Sequence, residues 1–191
     1  RRQFGPEGAA EVPILNYRTH QRRLMPLLAN VYALHFSLQY LTERFINRTE
    51  DEMQEIEALA AGLKSFATWN NTQTLQECRE ACGGKGYLSE NRIDALKNDS
   101  DIYTTFEGDN TVLMQLVAKS RLTEFKQEFS NMNVLRILNY VADQAKTSLT
   151  ELNPFIVRNT DEEHLLDPEF HLSAFRFRER DILTSAAKRL K

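Results

Sequence analysis

The sequence predicts an all-α fold, an antiparallel helical bundle followed by the start of a second helical subdomain. Three observations carry this. The five prolines lie at positions 6, 13, 26, 154 and 168, so the 127 residues between Pro26 and Pro154 hold none. Glycine is scarce as well, and three of the seven fall at 83, 84 and 86. The tract between is rich in Leu, Ala, Glu, Lys and Gln, whose side chains lose little rotamer freedom in a helix. Val and Ile are sparse, and no alternating runs with turn dipeptides mark strands.

The elements follow in order. A first helix is expected from about Pro13 to Ile46, with Leu24, Leu27, Leu28, Val31, Leu34 and Leu38 recurring at three- and four-residue steps. Pro26 should bend or break it. At 1.5 Å per residue it would be about 50 Å long, which suggests packing against other domains or subunits. A second helix should start at Thr49, which forms a capping box with Glu52. Its apolar stripe is Ile56, Leu59, Leu63 and Phe66. A third covers roughly Thr72 to Cys82 and stops at Gly83-Gly84, a pair suited to a left-handed cap. A fourth begins near Asp109 or Asn110 and runs to about Glu128. A fifth spans about Ser130 to Leu152 and ends at Asn153-Pro154. In the tail, Thr160 to Glu163 reads as another capping box. Asp167-Pro168 supplies an N-cap with proline at the first helical position, opening a last amphipathic helix from Glu169 to Lys191. A boundary near Phe129 divides a bundle domain, 1–128, from a second helical subdomain, 129–191.

Composition narrows the function classes. Lys and Arg total 24 against 27 Asp and Glu, a formal charge of −3, so no basic field for nucleic acid is expected. No apolar stretch approaches the roughly 20 residues of a membrane span. Two cysteines cannot build a disulfide scaffold and suit a reducing compartment. Cys78 and Cys82, four apart on a helix, read as buried free thiols. Four scattered histidines offer no pair at metal-ligand spacing, and no metal is expected. Trp69 and Phe66 read as core, and His164 and His171 as surface or packing residues. Arg176, Arg178 and Arg180 read as a solvated or interdomain face. The chain opens Arg1-Arg2-Gln3-Phe4 without methionine and ends inside a helical pattern, so a portion of a longer protein is expected.

Two stretches carry chemistry. Gly83-Gly84-Lys85-Gly86-Tyr87 lets backbone approach a ligand or another backbone closely, or simply caps a helix. It matches neither a P-loop nor a dinucleotide-binding GxGxxG. Phe106-Glu107-Gly108-Asp109-Asn110-Thr111 sets a carboxylate between an aromatic residue and a glycine, just ahead of a helix. Such a carboxylate, beside apolar groups, suits a general base near neutral pH. The same hexapeptide also reads as a helix cap.

Taken together, these segments resemble the C-terminal helical region of acyl-CoA dehydrogenases and acyl-CoA oxidases. Arg1-Arg2-Gln3-Phe4-Gly5 resembles the family's RxxFG segment, Gly83 to Tyr87 its GGxGY loop, and Phe106-Glu107-Gly108 its (Y/F)EG turn. Asp167 to Glu179 is similar to the start of the extra helical domain of oxidases. Glu107 to Val112 follows the oxidase form, EGxNTV, more closely than the EGTxxIQ of short- and medium-chain dehydrogenases. The four pieces occur in the family's order across nearly the whole chain.

The resemblance implies roles. Glu107 would remove the α-proton of an acyl-CoA thioester while a hydride passes from the β-carbon to FAD. Arg1, Gln3 and Phe4 would contact the FAD of a neighbouring subunit. Gly83, Gly84 and Gly86 would bring backbone against that cofactor, and Asp109 and Thr111 would lie on its side of the catalytic turn. Tyr87, Phe106 and Gly108 would face the substrate. The implied assembly is a homodimer or homotetramer with the FAD site shared between subunits. Its electron acceptor would be O2 or an electron-transfer flavoprotein. Two positions depart from the pattern. Glu80 stands where many dehydrogenases carry a glutamine, and it lacks an amide donor. Asp109 replaces the usual threonine and cannot donate when ionised. The expected activity is α,β-dehydrogenation in fatty-acid β-oxidation; a helical scaffold derived from the family, without the reaction, is the alternative. The expected compartment is the bacterial cytoplasm, or the peroxisome if the source is eukaryotic. The 191-residue chain alone is expected to bind no FAD and to show no activity.

Overall fold

The computed structural model describes residues 2–130 and 159–189. It is helical, as the composition requires. The elements are β1 (Arg2–Gln3), β2 (Val12–Pro13), α1 (Arg18–Ile46), α2 (Met53–Ala81), α3 (Ile93–Asp101), α4 (Asn110–Ser130), α5 (Glu162–Leu165) and α6 (Pro168–Arg189). Two compact units divide the chain within α4, Arg1–Ala118 and Lys119–Lys191.

In the first unit, β1 pairs antiparallel with β2, Arg2 opposite Pro13 and Gln3 opposite Val12. This small ladder corrects the expected start of the first helix. Val12 and Pro13 are committed to extended pairing and Ile14–Asn16 to a 3-10 turn. Tyr17 is the extended N-cap residue, so α1 begins at Arg18. Pro26 lies inside α1, and the helix continues through it to Ile46.

The Thr49–Glu52 capping box forms, with the Thr49 N–H donating to Glu52 Oε2 at 3.0 Å. From there α2 runs unbroken to Ala81, where two helices were expected. Between the two expected helices, Asn70 is buried and accepts from Asn30 Nδ2 of α1 at 3.0 Å. The helix therefore passes through it. α1 and α2 are antiparallel: Arg23 pairs with Glu77 and Glu80, Asn30 with Asn70, and Arg44 with Glu52 and Glu55.

The buried apolar residues of the described chain are Leu27, Ile56, Ala58 and Ala61. Small residues at 58, 61 and 65 let a neighbouring helix approach α2 closely. Phe66 and Trp69, expected in the core, are 52% and 45% exposed. Neither thiol is fully buried either: Cys78 is half-buried and Cys82 exposed. α3, together with 3-10 turns at Gly83–Tyr87, Ser89–Asn91 and Ile102–Thr104, fills the stretch between the two glycine-containing motifs. Lys97 of α3 donates to Gln76 of α2 at 2.5 Å. The chain thus returns alongside α2, and α4 continues the same way, with Asn110 against Ser65 and Val117 against Gly62.

In the second unit, α5 does not form the expected Thr160–Glu163 capping box. Its N-cap is Asp161, whose N–H is taken by Asn159 Oδ1 at 3.0 Å. The Asp167-Pro168 start is as expected, with the Glu169 N–H donating to Asp167 Oδ1 at 3.0 Å. Arg121 pairs with Glu179. His171 meets the Leu165 carbonyl at 2.6 Å, and His164 packs against the Phe170 ring at 4.2 Å. The helix expected over 130–152 lies outside the described residues. No helix among the described residues is long and apolar enough to cross a membrane.

Candidate active site

The turn 107–109 is built by backbone strain and tied down by α2. Glu107 has φ 54° and Gly108 φ 106°. A left-handed residue bearing a Cβ costs roughly 1–2 kcal/mol, so its surroundings must impose it. Asp109 then starts α4: its Oδ1 accepts from the Thr111 N–H at 2.8 Å and the Val112 N–H at 3.3 Å. This is the capping reading of the hexapeptide, realised at Asp109 while leaving Glu107 free of the helix. Next comes Asn110, only 2% exposed. Its Nδ2 donates to Thr68 Oγ1 at 2.8 Å, and its Oδ1 accepts from Lys64 Nζ at 2.8 Å. Lys64 Nζ also donates to the Gly108 carbonyl at 2.6 Å. Lys64 and Ser65 each share a face of α2 with Thr68, which lies four residues after the first and three after the second. Glu107 itself is exposed, and Phe106, half exposed, meets Tyr103 edge-on at 6.3 Å.

A second candidate region lies at the C-terminal end of α2. An open cleft of about 380 Å³ is lined by Gln3, Tyr17, His20, Arg23, Glu80 and Gly83, among others. It joins the RxxFG-like segment to the glycine loop. The Tyr17 hydroxyl donates to the Phe4 carbonyl, fixing the hairpin, while the Phe4 ring is 81% exposed. Arg1 lies outside the described residues. Arg23 bridges Glu77 and Glu80. The Gln76 amide, and then Arg23, hold the Glu80 carboxyl below the usual carboxylate range.

The three loop glycines have different reasons. Gly83, at φ 59°, terminates α2 in the left-handed conformation. Gly86 is buried against the last turn of α2, where a Cβ would lie 3.0 Å from the Arg79 carbonyl carbon. At Gly84 a Cβ would meet nothing within 4 Å. Tyr87 is 70% exposed, with the Arg79 guanidinium 4.7 Å over its ring.

The two regions are not adjacent. The Glu107 turn is anchored at Lys64 and the cleft at Glu80, which places them about 24 Å apart along α2 at 1.5 Å per residue. Sequence reasoning identified Glu107 and the glycine loop but missed Lys64, Thr68 and Arg23, and read Asn110 only as a helix start. One signal was available: Lys64, Ser65 and Thr68 put three polar side chains close together on an otherwise apolar-striped helix. Among the described residues, no cluster of His, Cys, Asp and Glu could hold a metal.

Residues 1–122 match the family model described as the acyl-CoA oxidase C-alpha1 domain. Peroxisomal acyl-coenzyme A oxidase 2 of Arabidopsis thaliana is 45% identical over 195 residues, covering all of this chain and 28% of that protein. The chain therefore spans a little over a quarter of that relative's length. The structure of Arabidopsis thaliana acyl-CoA oxidase 1 superposes with a TM-score of 0.76 at 31% identity, over 98% of this chain and 29% of that one. Acyl-CoA oxidase-2 of Caenorhabditis elegans, bound with FAD, ascaroside-CoA and ATP, matches 68% of this chain and 21% of its own, at 27% identity and TM-score 0.59. The chain belongs to the acyl-CoA oxidase family, of which it carries C-terminal helical sequence.

Proposed function

We propose that this chain supplies the α-proton base and one wall of the FAD site in an acyl-CoA oxidase of fatty-acid β-oxidation. The observation that carries the reading is the left-handed Glu107, φ 54°, tied to α2 through Gly108 and Asn110. Strain of this kind persists where surroundings over-determine it and concentrates at working sites. The thioester carbonyl acidifies the α-carbon of the substrate, and the exposed Glu107 carboxylate takes its proton. Bound FAD supplies the acceptor for the β-hydrogen and its electron pair, leaving a Cα–Cβ double bond. Phe106 and Gly108 would flank the acyl-CoA at this turn, and Tyr87, on the glycine loop at the far end of α2, would face the acyl-CoA of a site shared between subunits.

The cofactor side fits a large group arriving from outside the chain. Gly84 has open space where a Cβ would sit, and the Phe4 ring is exposed. Arg1, Gln3, Phe4, Gly83 and Gly84 would line that wall, with Gly86 seating the loop, and Asp109 and Thr111 on the turn's side. A homodimer or homotetramer sharing the site suits the separation of wall and base along α2. Residues 1–128 would form the bundle domain and 129–191 the start of a second subdomain. Membership of the oxidase family favours O2 over an electron-transfer flavoprotein as acceptor, and peroxide release from the full-length protein reads this. The peroxisomal Arabidopsis relative favours the peroxisome. The test is Glu107→Gln in full-length protein. Turnover of an acyl-CoA should be lost with FAD retained; near-wild-type turnover would refute the base assignment.

A further inference from the structure

We propose that Lys64 is a positioning residue for proton abstraction, holding the Glu107 turn in the one geometry that presents its carboxylate to the substrate. The inference rests on the assignment of Glu107 as the base. Lys64 Nζ donates to two acceptors on either side of Asp109: the Gly108 carbonyl at 2.6 Å and Asn110 Oδ1 at 2.8 Å. The first fixes the Gly108–Asp109 peptide plane, one residue beyond the base. The second fixes the buried amide that opens α4. Before the turn, the Phe106 N–H donates to the Ile102 carbonyl at 2.8 Å; after it, the Leu113 N–H donates to the Asp109 carbonyl at 2.9 Å. Between these, the Lys64 ammonium ties the turn's own carbonyl to α2. An ammonium suits this task because it has three donors and no acceptor, and its hydrogen bonds are charge-assisted. Lys64 is half-buried and rigidly mounted at mid-helix. The turn it holds is strained, with φ 54° at Glu107 and 106° at Gly108. Without Lys64, the strain can relax by peptide rotation and carry the carboxylate off its line to the α-carbon. Misplacement of a reacting group by about 1 Å can cost roughly 100-fold in rate.

The experiment uses the full-length, FAD-loaded enzyme and reads proton abstraction separately from hydride transfer. A 3-thiaacyl-CoA has sulfur in place of the β-carbon, so it yields no hydride. Exchange of its α-protons in D2O then reports the base alone. Lys64→Met should lower kcat with a normal acyl-CoA and the α-exchange rate by the same factor, roughly 10- to 100-fold. KM and FAD content should be unchanged. Lys64→Arg, which keeps donors for both acceptors, should recover most of the rate. If Lys64→Met folds poorly, Lys64→Gln keeps an amide donor on a shorter, uncharged side chain and should lose exchange partially. Wild-type exchange per bound FAD in a folded Met or Gln variant would overturn the inference, as would a kcat loss explained wholly by FAD loss. Glu107→Gln, measured alongside, separates the two ideas. If that variant still exchanges the α-proton, the base assignment fails. If it is inert while the Lys64 variants exchange normally, only the role of Lys64 fails.

Discussion

Gly84 and Gly86 are two residues apart in one loop, yet alanine at each should report on different things. At Gly86 the added Cβ would lie 3.0 Å from the Arg79 carbonyl carbon, 3.1 Å from its Cγ and closer still to the carbonyl oxygen. Ordinary carbon contact begins near 3.4 Å, so the loop must lift at least several tenths of an ångström off the last turn of α2. Arg79 cannot yield on its backbone side, because that carbonyl belongs to the helix. Overpacking of this kind costs about 1–3 kcal/mol, read as a lower Tm. At Gly84 the Cβ meets nothing within 4 Å, so Gly84→Ala should leave Tm unchanged. If the loop faces FAD, that same methyl occupies the cofactor's approach, and FAD content should fall in a variant that is otherwise fully folded. The assay is thermal unfolding of apo and FAD-loaded full-length protein, with flavin absorbance for content. A Gly86→Ala variant as stable as wild type would refute the packing argument. A stable Gly84→Ala variant with full FAD content would refute the placement of the loop against the cofactor.

Two further predictions concern the frame around the site. Thr49→Ala removes the hydroxyl and loosens the cap at the start of α2, which costs about 1 kcal/mol at such positions. The Thr49 N–H, and then its hydroxyl, hold the Glu52 carboxyl below its ordinary value of 4.5. A carboxyl depressed in the folded state contributes stability above that value and loses it as pH falls below. The Tm difference between Thr49→Ala and wild type should therefore shrink below about pH 4.5, and a constant difference from pH 7 down to 3.5 would refute the cap argument. Asn110→Ala strips Thr68 and Lys64 of a partner at a position 2% exposed. It should cost about 1–3 kcal/mol, read as a lower Tm, with kcat falling as well; an unchanged Tm would show that the buried amide does not anchor the turn.

What was legible in the sequence was local. The Thr49–Glu52 box, the Gly83 stop, the α4 start at Asp109-Asn110 and the Asp167-Pro168 start each depend on residues within a few positions of one another. All four form as read. What was illegible depended on distant partners. Asn70 falls between the two expected helices, and the amide of Asn30, forty residues away, makes it a buried helix contact. α3 carries only Ile93, Ala95 and Leu96 as apolar residues, too few for a visible stripe. The Thr160 box is absent because the helix starts one residue later, with Asp161 rather than Thr160 at the N-cap. The same division holds at the site. Glu107 and Gly83 are marked by their immediate neighbours, whereas Lys64 reaches the turn from 44 residues upstream.

The polar seam between α1 and α2 bears on the geometry of the Glu107 turn. Few apolar side chains are fully buried in the described chain, and apolar contact alone tolerates a slide of one helical turn, 5.4 Å. The polar pairs do not. Arg23 with Glu77 and Glu80 holds one end and Asn30 with Asn70 the middle. Arg44 grips Glu55 through both guanidinium nitrogens, at 2.8 and 3.1 Å, at the other end. A one-turn slip would break all three sets together. Exposed ion pairs are individually worth little energy, so their value here lies in register rather than stability. Register matters because Lys64, Ser65 and Thr68 on α2 are the platform on which the Glu107 turn is mounted. A slip of α2 against α1 would move the Glu107 turn relative to the hairpin and cleft by several ångströms. A carboxylate acting as the proposed base would tolerate far less than that. The seam and the Lys64 anchor therefore act in series: the first fixes α2 against α1, and the second ties the turn that carries Glu107 to α2.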